Sequence, residues 1–194
     1  MKKFIALSVL AFATAANAQN NDPAKGKLDV FSTVGVSKVH ENYKPASGKS
    51  IQTTTGVELR LSRPSSVGLA LSFDSYGYKK SGTSYHLDGS LKATALAFFY
   101  RYKFGTGNWQ PYLKAGGGTA WLSLPTVDVK QTTIIKKEVQ NVGLALAELG
   151  VQVRILPRYS LLIGTESKWM SKSSLAENTS LRTLGFKLGL ISAF

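Results

Sequence analysis

Apolar and polar residues alternate along most of the chain in long stretches separated by clusters of Gly, Ser, Asn, Lys and Pro. In one of them Thr53, Val57 and Leu61 fall on one face, while Glu58 and Arg60 fall on the other. A period of two residues is typical of a β-strand. The pattern predicts eight strands, at Leu28–Val39, Gln52–Ser62, Val67–Tyr78, Leu91–Phe104, Pro111–Leu124, Val139–Ile155, Ser160–Met170 and Leu181–Phe194.

The length and spacing of these stretches indicate a membrane barrel. Most are about ten residues or longer, as a tilted strand needs to cross a bilayer, whereas strands of soluble proteins usually have about five or six. Short turns alternate with long loops, as in outer-membrane barrels. The short turns are 63–66, 105–108 and 156–159, and the long loops are 40–51, 79–90, 125–138 and 171–180. We therefore predict an all-β fold, an eight-stranded antiparallel up-and-down transmembrane β-barrel.

The first residues resemble an export signal. Lys2 and Lys3 precede the uncharged apolar segment Phe4–Ala16, and Ala16-Asn17-Ala18 matches the small-x-small cleavage pattern. The apolar segment is shorter than the roughly 20 residues of a spanning helix. The predicted organisation is a signal peptide at 1–18, a short periplasmic leader at 19–27 and the outer-membrane barrel at 28–194.

Composition and charge narrow the function classes. Hydrophobic residues make up 43% of the chain, which suits a barrel because only every second strand residue faces lipid. The chain has no cysteine, which excludes disulfides and thiol catalysis. The net charge of +13 falls to +11 when Lys2 and Lys3 leave with the signal. For an exported protein we expect the electrostatic partner to be anionic membrane lipid rather than nucleic acid.

Charged residues on the polar strand faces form the main candidate site. The long strands imply that apolar faces meet lipid and polar faces meet the lumen. An eight-stranded barrel is just wide enough for its own side chains, so we expect paired charges that plug it; the alternative is a proton or ion path. The predicted lumen charge network is Glu58, Arg60, Asp74, Arg101, Lys103, Lys114, Glu148, Arg154, Glu166, Lys168 and Lys187.

Aromatic and basic residues cluster near the predicted strand ends. Two aromatic girdles are predicted, one of Tyr102, Phe104, Trp109 and Tyr112 near a short turn, and one of Tyr76, Tyr78, Trp121 and Trp169 near the long loops. The long loops are rich in lysine, which suits lipopolysaccharide phosphates, although these lysines could simply keep the loops soluble. The candidate lipopolysaccharide contacts are Lys79, Lys80, Lys136 and Lys137.

Three segments carry a resemblance to a known family. Gln110–Gly118, Leu149–Arg154 and the C-terminal Leu184–Phe194 resemble strands of the outer-membrane β-barrel domain family, the small eight-stranded OmpX/OmpA type. The resemblance implies residence in the cell outer membrane, with periplasmic chaperones and the barrel-assembly machinery as partners during biogenesis. It also implies that Phe194 is part of the insertion signal. Ser192 departs from that signal, which usually has an aromatic or aliphatic residue there.

The leading prediction is a non-enzymatic outer-membrane protein, structural or surface-interacting, monomeric and without a cofactor or metal. One alternative is a transporter of small apolar molecules, which would need an interior cavity and a lateral opening. The other is a lipid A-modifying enzyme, because Ser84, His86 and Asp88 are spaced as a minimal hydrolase pattern. That spacing is a weak signal, and His40 lies in a different loop.

Overall fold

Eight long antiparallel strands close into one barrel, which confirms the predicted fold class. The computed structural model describes residues 25–39, 49–82, 85–124, 127–129, 133–135, 138–173 and 179–194; for those in 78–89, 124–138 and 173–179 the description is limited to the backbone. The predicted signal peptide and most of the leader lie outside the described residues. No helix among the described residues is long and apolar enough to span a membrane.

The barrel strands follow one another as neighbours around the wall. Closure comes from the pairing of the first strand with the last, from Asp29 opposite Ala193 to Val39 opposite Thr183. A separate two-stranded sheet, β6 with β7, lies between β5 and β8 in the sequence. The strands are β1 Leu28–Val39, β2 Lys49–Arg60, β3 Ser65–Gly82, β4 Tyr85–Lys103, β5 Trp109–Leu124, β6 Val127–Val129, β7 Thr133–Ile135, β8 Glu138–Leu156, β9 Tyr159–Ser173 and β10 Thr179–Ala193.

One predicted long loop is largely strand, so the prediction of a loop at 79–90 is wrong. The pairing of β3 with β4 continues without a break to Gly82 opposite Tyr85. Lys79 lies opposite Asp88, and His86 lies opposite Ser81, in this ladder. Antiparallel pairing gives the backbone N–H and C=O groups of both strands hydrogen-bond partners, whatever their side chains. The two strands therefore stay paired beyond the apolar band. The segment is rich in polar residues, a composition that favours a loop, so the sequence did not predict the strand pairing there.

The outer wall is apolar over most of its height, as the strand parities predict. Phe73 is 48% exposed on the outside, whereas its neighbour Ser72 is 5% exposed inside. On the last strand Leu188 is 44% exposed and Lys187 is 2% exposed. An outward apolar band with polar residues inside is the arrangement that a barrel presents to lipid.

The interior has two zones, and the prediction of a polar lumen is wrong for one of them. Charged residues fill the half nearer the short turns. Toward the long-loop end, inward positions are largely apolar and pack into one buried cluster. These residues are inward and apolar because a narrow barrel is filled by side chains and needs a packed core there. The cluster consists of Val39, Tyr76, Leu91, Ala93, Ala95, Ala97, Ala120, Leu122, Val142, Leu144, Leu146, Met170 and Leu181.

Candidate functional site

The structure buries most of the predicted charged residues inside the barrel. Their alternation with outward residues turns them inward from seven different strands, in the half of the lumen nearer the short turns. The buried set is Glu58, Asp74, Arg101, Lys103, Lys114, Glu148, Glu166, Lys168 and Lys187, each no more than 5% exposed. Because charges this deep are costly unless paired, their partners decide what the lumen can do.

Two glutamates and two lysines form the centre of the network. Lys114 contacts Glu148 directly, and its Nζ lies 3.6 Å from Glu166 Oε2. Lys187 Nζ lies 2.5 Å from Glu166 Oε2 and 3.8 Å from Glu148 Oε2. Each lysine therefore serves both carboxylates, and the four side chains compensate one another's charge.

Lys168 extends this centre toward the third strand. Its Nζ donates a hydrogen bond of 2.7 Å to Asp74 Oδ2 and lies 3.5 Å from Glu166 Oε1. It also donates to Ser72 Oγ at 3.3 Å. The sequence positions of these residues are far apart, so only closure of the barrel makes the contact.

Arg101 occupies a pocket of aromatic rings. Its guanidinium lies 2.8 Å from Glu58 Oε2, and its Cζ lies 5.4, 5.7 and 4.9 Å from the ring centroids of Phe31, Phe99 and Tyr112. A guanidinium is attracted to ring faces, and it retains its charge under all physiological conditions. The ion pair is therefore buried among three aromatic rings.

Two residues near the short turns differ from the predicted network. Arg60 donates hydrogen bonds of 2.6 and 2.7 Å to Asp29, a buried residue that is absent from the predicted network. The inward parity of Asp29 with Phe31 along β1 could have revealed it. Arg154 does not join the network, because its side chain is exposed at the mouth of the barrel. Gln152, two residues earlier on β8, is the last inward side chain of that strand that the barrel wall covers.

Tyr112 and Tyr76 lie inside the lumen, so their assignment to aromatic girdles is wrong. The hydroxyl of Tyr112 donates a hydrogen bond of 2.5 Å to Glu148 Oε1. Space for it comes from Gly150 and Gly164, which are cross-strand partners. A Cβ at these positions would lie 2.5 and 2.9 Å from the tyrosine Oη, so a larger residue at either would displace the ring.

The contacts inside the lumen form a network of paired charges. The lumen acids are each matched to a lysine or arginine, and aromatic rings fill the space between them. Within the described residues no group of three or more His, Asp or Glu side chains could hold a metal ion. Ser84 and His40 lie outside the described residues, so the hydrolase pattern around His86 stays a prediction.

Basic residues ring the outer wall at the end opposite the short turns. Lys38, Lys49, Lys92 and Arg182 are exposed and alternate with buried neighbours, so they point outward. Lys79 and Lys80 belong to the β3 backbone at this same end, whereas Lys136 and Lys137 lie outside the described residues. Lipid contact by these four lysines stays a prediction.

Phe194 follows the last strand at the end with the short turns. Its side chain is 72% exposed, and its backbone nitrogen donates a hydrogen bond of 2.9 Å to Leu28 O. The bond joins the two strands that close the barrel. An accessible terminal aromatic beside this seam suits the predicted insertion signal, which stays a prediction.

Comparison with known proteins identifies the fold through solved structures. No protein-family model matches the chain, and no curated protein does. Neisserial surface protein A (NspA) matches at a TM-score of 0.62 and 18% identity, over 86% of this chain and 97% of that one. Ail of Yersinia pestis, in complex with the heparin analogue sucrose octasulfate, matches at 0.54 and 12%, over 87% and 99%. OprG from Pseudomonas aeruginosa matches at 0.54 and 13%, over 91% and 99%.

These matches define the class to which the fold belongs. The chain has the fold of the small eight-stranded outer-membrane β-barrels, as its resemblance to the OmpX/OmpA type implies. Together with the apolar band on its outer wall, this fold places the protein in the bacterial outer membrane.

Proposed function

We propose that this chain is a non-enzymatic outer-membrane barrel that contacts lipopolysaccharide through basic side chains around its extracellular rim. The observation that carries the proposal is the register of β1 with β2, in which Lys38 lies directly opposite Lys49. Both side chains are exposed on the outer wall. Two lysines at opposite positions present their ammonium groups to the same part of the surface, where one anion can contact both.

The surface next to Lys38 is shaped for an amphipathic molecule. A groove of about 450 Å³ is lined by Lys38, Arg182, Trp169 and Leu184, together with Val39, Ser167 and Thr183. Basic groups and an indole ring at the edge of an apolar wall lie at the level of lipid headgroups. Phosphates could bind the cations there while acyl chains lie along the apolar band.

Charge distribution supports the same proposal. Every Asp and Glu whose side chain the structure describes is buried inside the barrel, namely Asp29, Glu58, Asp74, Glu148 and Glu166. The described outer wall therefore carries cations without carboxylates of its own. Ail was solved with a sulfated polyanion, so a barrel of this fold can hold such a ligand.

The lumen supports a non-transporting role over the alternative of an apolar-solute transporter. A transporter needs an interior cavity, whereas the apolar zone is filled by large side chains such as Leu122, Leu144 and Met170, each no more than 6% exposed. The enzyme alternative rests on Ser84, His86 and Asp88, whose side chains lie outside the described part of the structure, so it stays a prediction. We therefore place the function on the outer surface.

The test compares two double variants of the refolded barrel at low ionic strength. In K38Q/K49Q we expect the affinity for lipopolysaccharide to fall roughly tenfold or more, since each lysine near an anionic surface contributes about 1 kcal/mol. The matched control K38R/K49R keeps both charges and should keep the affinity. Dephosphorylated lipopolysaccharide should not distinguish the variants. Equal binding of intact lipopolysaccharide by wild type and K38Q/K49Q would overturn the proposal.

A further inference from the structure

The barrel mouth at the short-turn end is an open cavity of about 660 Å³ with a strongly basic lining. Six of its lining side chains are cationic, and none of the described lining side chains is acidic. The cations are Lys27, Arg60, Arg63, Lys103, Arg154 and Arg158. We call this cavity the vestibule.

The short turns and strand ends build the vestibule together. Arg63 comes from the β2–β3 turn, Arg158 from the β8–β9 turn, and Gly105 and Thr106 from the β4–β5 turn. Arg154 enters from the end of β8. All three short turns thus contribute to one rim, and two of them add an arginine to it.

The described carboxylates of the buried network pair with cations other than Arg154 and Arg158, the two exposed arginines of the lining. Asp29 neutralises Arg60 through two hydrogen bonds, and Glu58 is committed to Arg101 deeper in the lumen. The other described carboxylates, those of Asp74, Glu148 and Glu166, pair with lysines in the centre of the barrel. Gathered cations in a concave, low-dielectric wall focus a positive potential on the cavity.

We propose that the vestibule is a binding site for a small multivalent oxyanion carrying phosphate or carboxylate groups, which enters from the periplasmic side. Arginine presents a planar fork of donors that matches both groups, and Arg154 and Arg158 are exposed at the entrance. The cavity opens to water at the barrel axis, inside the ring of turns, so a soluble anion reaches it more directly than a lipid headgroup in the surrounding leaflet.

The site is separate from the basic rim proposed to contact lipopolysaccharide. That rim lies on the outer wall at the opposite ends of the strands, where Lys38 and Lys49 are cross-strand partners. The two proposals can therefore succeed or fail independently.

The experiment titrates the refolded protein in zwitterionic micelles with inorganic tripolyphosphate, and in a second arm with citrate. The reporter is the methyl NMR signal of Ile191, which lines the vestibule and is 3% exposed. We expect this signal to shift and saturate with tripolyphosphate at low ionic strength. If the signal also saturates with citrate, the site binds oxyanions in general. If it does not shift with citrate, the ligand class is phosphates.

Two variants test the arginines. R154Q/R158Q should bind tripolyphosphate roughly tenfold more weakly or worse, since charge-assisted hydrogen bonds are among the strongest polar contacts. R154K/R158K keeps the charge and should retain more of the affinity. Both side chains are exposed, so folding should be unaffected, as the shift in gel mobility on boiling would verify. Wild-type affinity in R154Q/R158Q, or an Ile191 shift reproduced by chloride at matched ionic strength, would overturn the proposal.

Discussion

Glu148 and Glu166 lie directly opposite each other on β8 and β9, with both carboxylates inside the barrel. Two buried like charges at opposite positions would by themselves destabilise the strand pair. The barrel brings Lys114 from β5 and Lys187 from β10 between them, one from each flanking strand. The two lysines therefore hold together a pairing that the two strands alone would disfavour.

This relationship predicts an asymmetry between single and double substitutions. Lys187→Met removes one of two shared cations, and we expect it to lower the free energy of unfolding by about 3–5 kcal/mol, the cost of a buried charge without its partner. Adding Glu166→Gln should restore part of that loss, because the uncompensated carboxylate is gone. Urea unfolding of the refolded barrel measures both. A double variant that is less stable than the single one would contradict this network of ion pairs.

The packed lumen predicts that the protein does not form a wide pore. Paired charges and the ring cage around Arg101 occupy the half near the short turns, and the apolar cluster occupies the other half. In planar bilayers the purified wild type should show no stable conductance of porin size. Reproducible large channels would instead favour the transporter alternative.

The facing of the strands predicts opposite behaviour at Leu188 and Ser72. Leu188 is exposed on the outer wall, and Leu188→Arg should destabilise the barrel by about 2–4 kcal/mol if the site lies near mid-bilayer. Because the chain has no native cysteine, L188C and S72C each carry a single thiol. A lipid-soluble maleimide should label L188C and spare S72C, whose position lies beside Lys168 in the lumen. The reverse labelling would mean that the barrel faces are inverted.

The loop lysines named from the sequence predict a separate effect on lipopolysaccharide. Changing Lys79, Lys80, Lys136 and Lys137 to Gln should weaken its retention without unfolding the barrel. The effect should be largest at low salt, because such attraction is screened within a Debye length. Binding measured at two ionic strengths checks this. Equal retention by wild type and the four-site variant would show that these lysines only keep the loops soluble.

The alternating pattern by itself determined the fold and the facing of most strands. A period of two residues fixes which side chains share a face, and strand length together with the rhythm of turns indicates a membrane barrel. Glu58, Lys114 and Lys187 could therefore be assigned to the lumen from local sequence alone. The same logic would have found Asp29, whose neighbours in β1 alternate as regularly.

Only the tertiary structure decided which charges meet. The order of strands around the barrel and the register of each pair bring Lys168 to Asp74 across the lumen, 94 residues apart in the sequence. The alternation of residues likewise shows which side chains point inward, but it is the same for charged and apolar residues. It could not show that the two kinds occupy different halves of the lumen. Tyr112 shares the inward parity of Lys114, but its contact with Glu148 depended on the space left by Gly150 and Gly164 on neighbouring strands. These contacts join segments that are distant in the sequence, and they form only when the barrel closes.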